Sequence, residues 1–123
     1  MQIKRWLLIG TWLCLDIGAA QAAGDPLRGK ALFGQCGFCH STEPGKHGMG
    51  PSLQGIYART AGQAVGFDYS PALKGASVQW DAGNLDRWLG NPASMIPGNR
   101  MMFPGVADQA ARDDLISYLK TLL

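Results

Sequence analysis

The stretch Cys36-Gly37-Phe38-Cys39-His40 brings two thiols and one imidazole into five consecutive positions. Three kinds of chemistry use such a set: a structural zinc site, a redox disulfide and the covalent attachment of a haem. A structural zinc ion needs four ligands, and this stretch supplies three. A redox C-x-x-C motif usually begins a helix in a βαβ unit, and the sequence shows no parallel strands. The spacing C-x-x-C-H favours haem, because two thiols can add to the porphyrin while the next imidazole binds its iron.

The N-terminal residues form a pattern of their own. A positively charged start, the apolar run WLLIGTWLCL and a site of small residues at 20–22 follow one another. That order is typical of a secretory signal peptide, so we predict a signal peptide at 1–22 and a single domain at 23–123. The alternative is a retained membrane anchor, although Asp16 interrupts a run that would need about 20 apolar residues to span a bilayer.

Removal of the leader changes both the charge and the cysteine content. It leaves nine basic and eight acidic side chains, a net charge of +1 with neutral histidines. A nearly neutral domain has no electrostatic support for binding a nucleic acid. Cys14 is lost with the leader, so Cys36 and Cys39 are the two cysteines of the mature chain.

Capping residues predict three helices in the mature chain. Asp25, followed by a proline, begins a helix that runs to the cysteines. Asp81 caps a second helix that ends at Gly90, and Asp108 caps a third over 109–123. The third has an apolar face, formed by Ala111, Leu115, Tyr118, Leu119 and Leu122.

The remaining segments are predicted to be loops, with a short helical turn after Ser70. Two of them are long, 41–66 and 91–107, and no alternating strand pattern of useful length is present. We therefore predict an all-α domain of three to four helices with long loops. Loops of this length need something to organise them, and three short helices make a thin core. Both features indicate that a bound group fills the middle of the domain.

From Gly24 onward, the sequence resembles the class I cytochrome c family, and within it the mitochondrial and photosynthetic-bacterial branch. The matching words occur in the family's order: GDPLRGKALFGQCGFCH, GPSLQGIYARTAGQAVGFDYSPALKG, WDAGNLDRWLGNP, IPGNRMMFPG and DLISYLK. The resemblance covers essentially the whole mature domain. It implies a small helical fold wrapped around one covalent haem c, and an electron carrier rather than an enzyme.

The resemblance also assigns the residues that hold the haem. Cys36 and Cys39 would form the thioether links, and His40 would bind the iron from one face. Met101 stands in IPGNRMMFPG, where the family places the axial methionine, with Met102 as the alternative one position later. A thioether ligand favours reduced iron and raises the reduction potential.

Further positions match the surroundings of the haem. Arg59, Tyr69 and Trp80 stand where the family binds the haem propionates, and these side chains suit a buried carboxylate. The carbonyl of Pro51 would accept the proton of the proximal imidazole and so orient His40.

Other matches imply structural roles, and some positions depart from the family. His47 would bond between loops, while Gly29 and Phe33 would meet Leu115 and Tyr118 where the terminal helices cross. Trp88 stands where close relatives commonly have a tyrosine that bonds the axial sulfur. An indole N–H is able to donate in its place, or that bond is absent. The lysine ring of the family is sparse, with only Lys30, Lys46, Lys74 and Lys120 in the mature chain.

The predicted function is electron transfer on one haem between redox protein partners, namely a membrane oxidoreductase or a periplasmic dehydrogenase. The leader predicts a periplasmic location for a monomeric protein, which touches the membrane only if 1–22 is retained. Two alternatives stay open. One is a haem subunit of a larger dehydrogenase or oxidase complex, and the other is an enzyme or gas sensor with a labile sixth ligand.

Overall fold

The computed structural model describes residues 24–123, so the predicted signal peptide at 1–22 lies outside it. The helices are α1 Pro26–Leu32, continued by a 3₁₀ turn at Phe33–Gln35, then α2 Pro71–Lys74, α3 Ala82–Gly90, α4 Pro92–Met95 and α5 Gln109–Leu119. Between 24 and 123 the β pairing is one isolated antiparallel bridge, from Thr60 to Gln79. The predicted all-α class is confirmed. Across the same residues, no helix has the length and apolar character needed to cross a membrane.

Each α-helix begins at a side chain that accepts a hydrogen bond from the first turn. Asp25, Asp81 and Asp108 accept from backbone N–H groups at 2.8, 2.8 and 2.9 Å. Ser70 and Asn91 do the same, both at 3.1 Å. These bonds satisfy N–H groups that have no partner within the helix. The three predicted helix starts and the turn after Ser70 are therefore confirmed.

Two helix boundaries differ from the prediction. The predicted loop 91–107 contains α4, because Asn91 both ends α3 and caps the next helix, whose first residue is Pro92. The third predicted helix ends at Leu119 rather than Leu123. Its last turn tightens, since the backbone N–H and the hydroxyl of Thr121 both donate to the carbonyl three residues earlier.

The helices α1 and α5 cross at very close range. A Cβ added to Gly29 would overlap the backbone oxygen of Asp114 and press on the Cβ of Tyr118, so only glycine fits. The rings of Phe33 and Tyr118 meet with their centroids 5.1 Å apart. Leu115 is buried in the core. The predicted contact between the terminal helices is thus confirmed.

A buried carboxylate ties this crossing together. Asp114, whose side chain is 9% exposed, accepts from the Arg28 guanidinium at 2.9 and 3.2 Å and from the Asp25 backbone N–H at 2.7 Å. The hydrogen bond from Arg28, followed by that from Asp25, holds the pKa of Asp114 below its ordinary value. The ionised carboxylate therefore stabilises the folded state.

This ion pair predicts a pH dependence of stability. A lowered folded-state pKa gives stability that is complete above the unfolded pKa, about 3.9, and is lost as the pH falls through the folded value. We expect Asp114→Asn to lower the free energy of unfolding at neutral pH, and the difference from wild type to shrink below about pH 4. Denaturant titrations across pH measure it, with Asp113→Asn on the same helix as control. A difference that is unchanged at low pH would contradict the assignment.

Two loops lie side by side between α1 and α3. The backbone N–H of Ala58 donates to Trp80 O at 2.8 Å, and the N–H of Trp80 returns a bond to Arg59 O at 2.8 Å. Ala58 takes a left-handed φ of 68°, which turns the chain at this point. The pairing fixes Arg59 and Trp80 next to each other. Buried apolar residues from these loops and the helices form one cluster: Phe33, Ile56, Ala61, Trp80, Leu85, Trp88, Leu89, Ile96, Leu115, Ile116 and Leu119.

Candidate haem-binding site

A cavity of about 500 Å³ opens into the apolar core. Seven of the eight predicted site residues line it, namely Cys36, Cys39, His40, Pro51, Tyr69, Trp80 and Met101. Most of the remaining wall is apolar and includes Phe33, Ile56, Leu85, Leu115 and Leu119. A large apolar cavity with a few polar groups has the character of a cofactor site.

The haem motif itself is wound as a turn that continues the first helix. The backbone N–H groups of Cys39 and His40 both donate to Cys36 O, at 3.1 and 3.0 Å. Residues three and four apart on a helical turn share one side, so both thiols and the imidazole reach the same cavity. Both thiols are free, and burial, with a smaller effect of Cys39, raises the pKa of Cys36.

The imidazole of His40 is oriented by a single short bond. Its Nδ1 lies 2.7 Å from Pro51 O, and a carbonyl can only accept, so Nδ1 carries the proton. The lone pair on Nε2 is therefore available to a metal ion. The ring packs on Gly50, where any Cβ would overlap it. Burial lowers the pKa of His40, against the opposing effect of the Pro51 bond, so the neutral ring is favoured.

The methionine loop is fixed by a side chain that the sequence analysis did not single out. Asn99 donates to the carbonyls of Pro92 and Ile96 at 3.0 and 2.9 Å, and its Oδ1 accepts from the backbone N–H of Met101 at 2.8 Å. Met101 packs against the buried core, whereas Met102 is 98% exposed. The only sequence signal for Asn99 was its place in the turn-forming dipeptide Gly98-Asn99.

The three predicted propionate donors have different positions. Tyr69 and Trp80 are buried and line the cavity, and the Tyr69 hydroxyl accepts from the Ala64 N–H at 3.1 Å, which leaves its own proton free to donate. Arg59 lies outside the cavity wall, yet within residues 24–123 its Nη2 is buried without a hydrogen-bond partner. A buried cationic donor requires an acceptor, and a carboxylate supplies one. The donor set therefore fits the acidic groups of a haem.

The second histidine serves the loops rather than the cavity. His47 Nδ1 accepts from the Ser52 N–H at 3.0 Å, so Nε2 carries the proton and donates to Val65 O at 2.8 Å. This arrangement confirms the prediction that His47 bonds between loops. His47 is absent from the cavity wall, so a site with two imidazoles has no support from the geometry.

Trp88, the departure from the family pattern, lines the same cavity as Met101. It is 8% exposed and packs on Trp80 with ring centroids 5.3 Å apart at 58°. Its indole is thus part of the wall that surrounds the cofactor site, and its apolar surface excludes water there.

Fold and site together define a small helical protein built around one haem. The family model described as cytochrome c matches residues 27–123. Cytochrome c2 of Rhodomicrobium vannielii is 40% identical over 104 residues, which cover 84% of this chain and 83% of the relative. Cytochrome c2 of Rhodoblastus acidophilus is 44% identical, over 79% of this chain and 92% of the relative. The solved structure of cytochrome cH from Methylobacterium extorquens superposes with a TM-score of 0.77 at 42% identity, covering 80% of this chain and 99% of that one.

The chain belongs to the cytochrome c family. It is an electron-transfer haem protein, and its cofactor is one covalent haem c attached through Cys36 and Cys39.

Proposed function

We propose that the protein is an exported one-electron carrier with His40 and Met101 as the protein ligands of its haem iron, and with no enzymatic activity of its own. One observation carries the proposal: both residues line the same cavity as the two cysteines of the haem motif. Imidazole and thioether are the pair that raises the reduction potential of a haem and closes both of its faces.

The bound haem supplies an iron centre that changes between the ferrous and ferric states. The chain keeps the two ligand side chains in place during that change. Pro51 fixes the ring of His40, and Asn99 fixes the backbone at Met101. Ligands held by such second contacts keep their positions when the charge of the iron changes. Little nuclear motion then accompanies each electron.

The remaining site residues control charge and water. Arg59, Tyr69 and Trp80 would donate to the haem propionates, which keeps these anions bound within the protein. The apolar wall, including Leu85 and Trp88, excludes water from the iron. Exclusion of water favours the reduced state, because it carries the lower positive charge.

Export and the choice of partners belong to the same proposal. The predicted leader at 1–22 supports delivery to the periplasm, where haem attachment to a C-x-x-C-H motif takes place. The partners would then be redox proteins, either a membrane oxidoreductase or a periplasmic dehydrogenase, and the carrier would be a monomer. Weak and small contacts are typical of such electron-transfer encounters.

Haem chemistry of the purified protein tests this proposal. We expect haem to stay with the polypeptide on a denaturing gel, and a reversible redox titration to fit one electron. The reduced protein is expected not to bind carbon monoxide, because Met101 closes the sixth position. Haem that washes off would contradict attachment at Cys36 and Cys39. Rapid binding of carbon monoxide would favour the labile-ligand alternative, and stable copurification with a dehydrogenase or oxidase would favour the complex subunit.

A further inference from the structure

The cavity reaches solvent at those lining residues that are exposed. We call this set the rim, and its members are Gln35, Met49, Asp68, Arg100 and Met102. A redox partner that approaches the haem at this opening would meet the rim first. The chemistry of the rim therefore determines which partner surfaces fit.

The apolar part of the rim consists of two methionines that are almost completely exposed. Met49 is 82% exposed and Met102 is 98% exposed, and both belong to the same opening. Single exposed apolar residues are common, but two at the mouth of one functional cavity indicate a contact surface. Methionine is flexible and polarizable, so it adapts to different apolar partners.

The charged part of the rim is balanced by one carboxylate. Asp68 Oδ1 lies 3.4 Å from the Lys74 ammonium, and Asp68 Oδ2 lies 3.8 Å from the Arg100 guanidinium. All three side chains are more than half exposed, so these pairs add little to stability. Their charges nevertheless lie well within one Debye length, about 8 Å at physiological ionic strength. An approaching molecule therefore senses mainly their sum, and within the rim the charges of Asp68 and Arg100 cancel.

We propose that Asp68 neutralises the rim and thereby selects a redox partner whose docking face is apolar and uncharged. The proposal rests on the electron-carrier function proposed above. Loss of the carboxylate would expose Arg100 and Lys74 together and convert the rim into a cationic surface. A cationic rim attracts acidic partners and makes association depend on salt, whereas a neutral rim does neither.

Small redox ions of opposite charge probe the rim without knowledge of the partner. We measure the oxidation of the reduced holoprotein by hexacyanoferrate(III) and by tris(phenanthroline)cobalt(III) in a stopped-flow instrument over a range of ionic strength. For the wild type, both rates are expected to change little with salt. For Asp68→Asn, the rate with the anion is expected to rise about three- to ten-fold at about 0.01 M ionic strength and to return towards wild type at high salt. The rate with the cation falls.

The matched control is Asp113→Asn, which changes the net charge equally but lies on α5 outside the cavity wall. We expect its rates with both ions to stay near those of the wild type. Steep salt dependence of the wild type, or equal behaviour of the two variants, would overturn the role of Asp68. Failure of the wild type to exchange electrons with either ion would instead overturn the carrier function, and the docking proposal with it.

Electron self-exchange tests the apolar half of the proposal, because a second copy presents an apolar, uncharged face of known composition. Nuclear magnetic resonance linewidths of mixtures of reduced and oxidised protein give the rate. Met102→Gln is expected to slow self-exchange about five-fold, whereas Leu27→Gln, an exposed apolar position outside the cavity wall, leaves it unchanged. An intact sulfur-to-iron band in Met102→Gln verifies that ligation is retained. Equal rates in the two variants would contradict an apolar docking face.

Discussion

Replacement of Met101 by alanine is expected to abolish the sulfur-to-iron charge-transfer band of the ferric protein. The side chain packs against the core and lines the cavity, and no other residue of that loop combines a sulfur atom with burial. Loss of the thioether also removes the ligand that favours ferrous iron, so the reduction potential should fall by on the order of a few hundred millivolts. Optical spectroscopy and a redox titration measure both effects.

The neighbouring methionine provides the matched control for this experiment. Met102 is 98% exposed, so Met102→Ala is expected to keep both the band and the potential. Loss of the band in Met102→Ala but not in Met101→Ala would shift the ligand by one position. A band missing from the wild type as well would favour a protein with an open sixth position.

Replacement of Gly29 by alanine is expected to destabilise the protein by about 3 kcal/mol. The new Cβ would overlap the backbone oxygen of Asp114, and a backbone atom cannot move aside as a flexible side chain can. The helices α1 and α5 must therefore separate, which also weakens the contact between Phe33 and Tyr118. Denaturant unfolding followed by tryptophan fluorescence measures the loss.

A second glycine a few residues later makes a matched comparison. A Cβ at Gly34 would have no heavy atom within 4 Å, and its φ is not positive. Gly34→Ala is therefore expected to leave stability unchanged or to raise it by up to about 1 kcal/mol, because the unfolded chain loses freedom. Equal destabilisation by the two substitutions would show that the helix crossing is not the cause.

The local features of the fold could be predicted from sequence because their determinants are neighbours in the chain. An aspartate cap lies within three residues of the N–H group that it satisfies, as at Asp25, Asp81 and Asp108. The haem motif is equally local, since one helical turn brings its three reactive side chains together. The loop position of His47 followed from the family resemblance, and the structure confirms it.

Other features depend on pairs that are distant in sequence or on a residue with two roles. Asn91 was interpreted as a helix stop, and that interpretation concealed its second role as the cap of α4. The bond between Arg28 and Asp114 joins positions 86 residues apart. The charge balance of the rim requires Asp68 and Arg100 to meet across the cavity mouth, and no periodicity in the sequence encodes that encounter.

The loop that carries Met101 is fastened at both ends by side chains of other segments. Asn99 joins its start to α4, and Arg112 of α5 donates to the carbonyls of Val106 and Ala107 at its end, at 2.8 and 3.0 Å. The stretch between these two fastenings can accept substitutions while the helices keep their packing. Evolution, or an engineer, can therefore tune the voltage of this carrier separately from its durability.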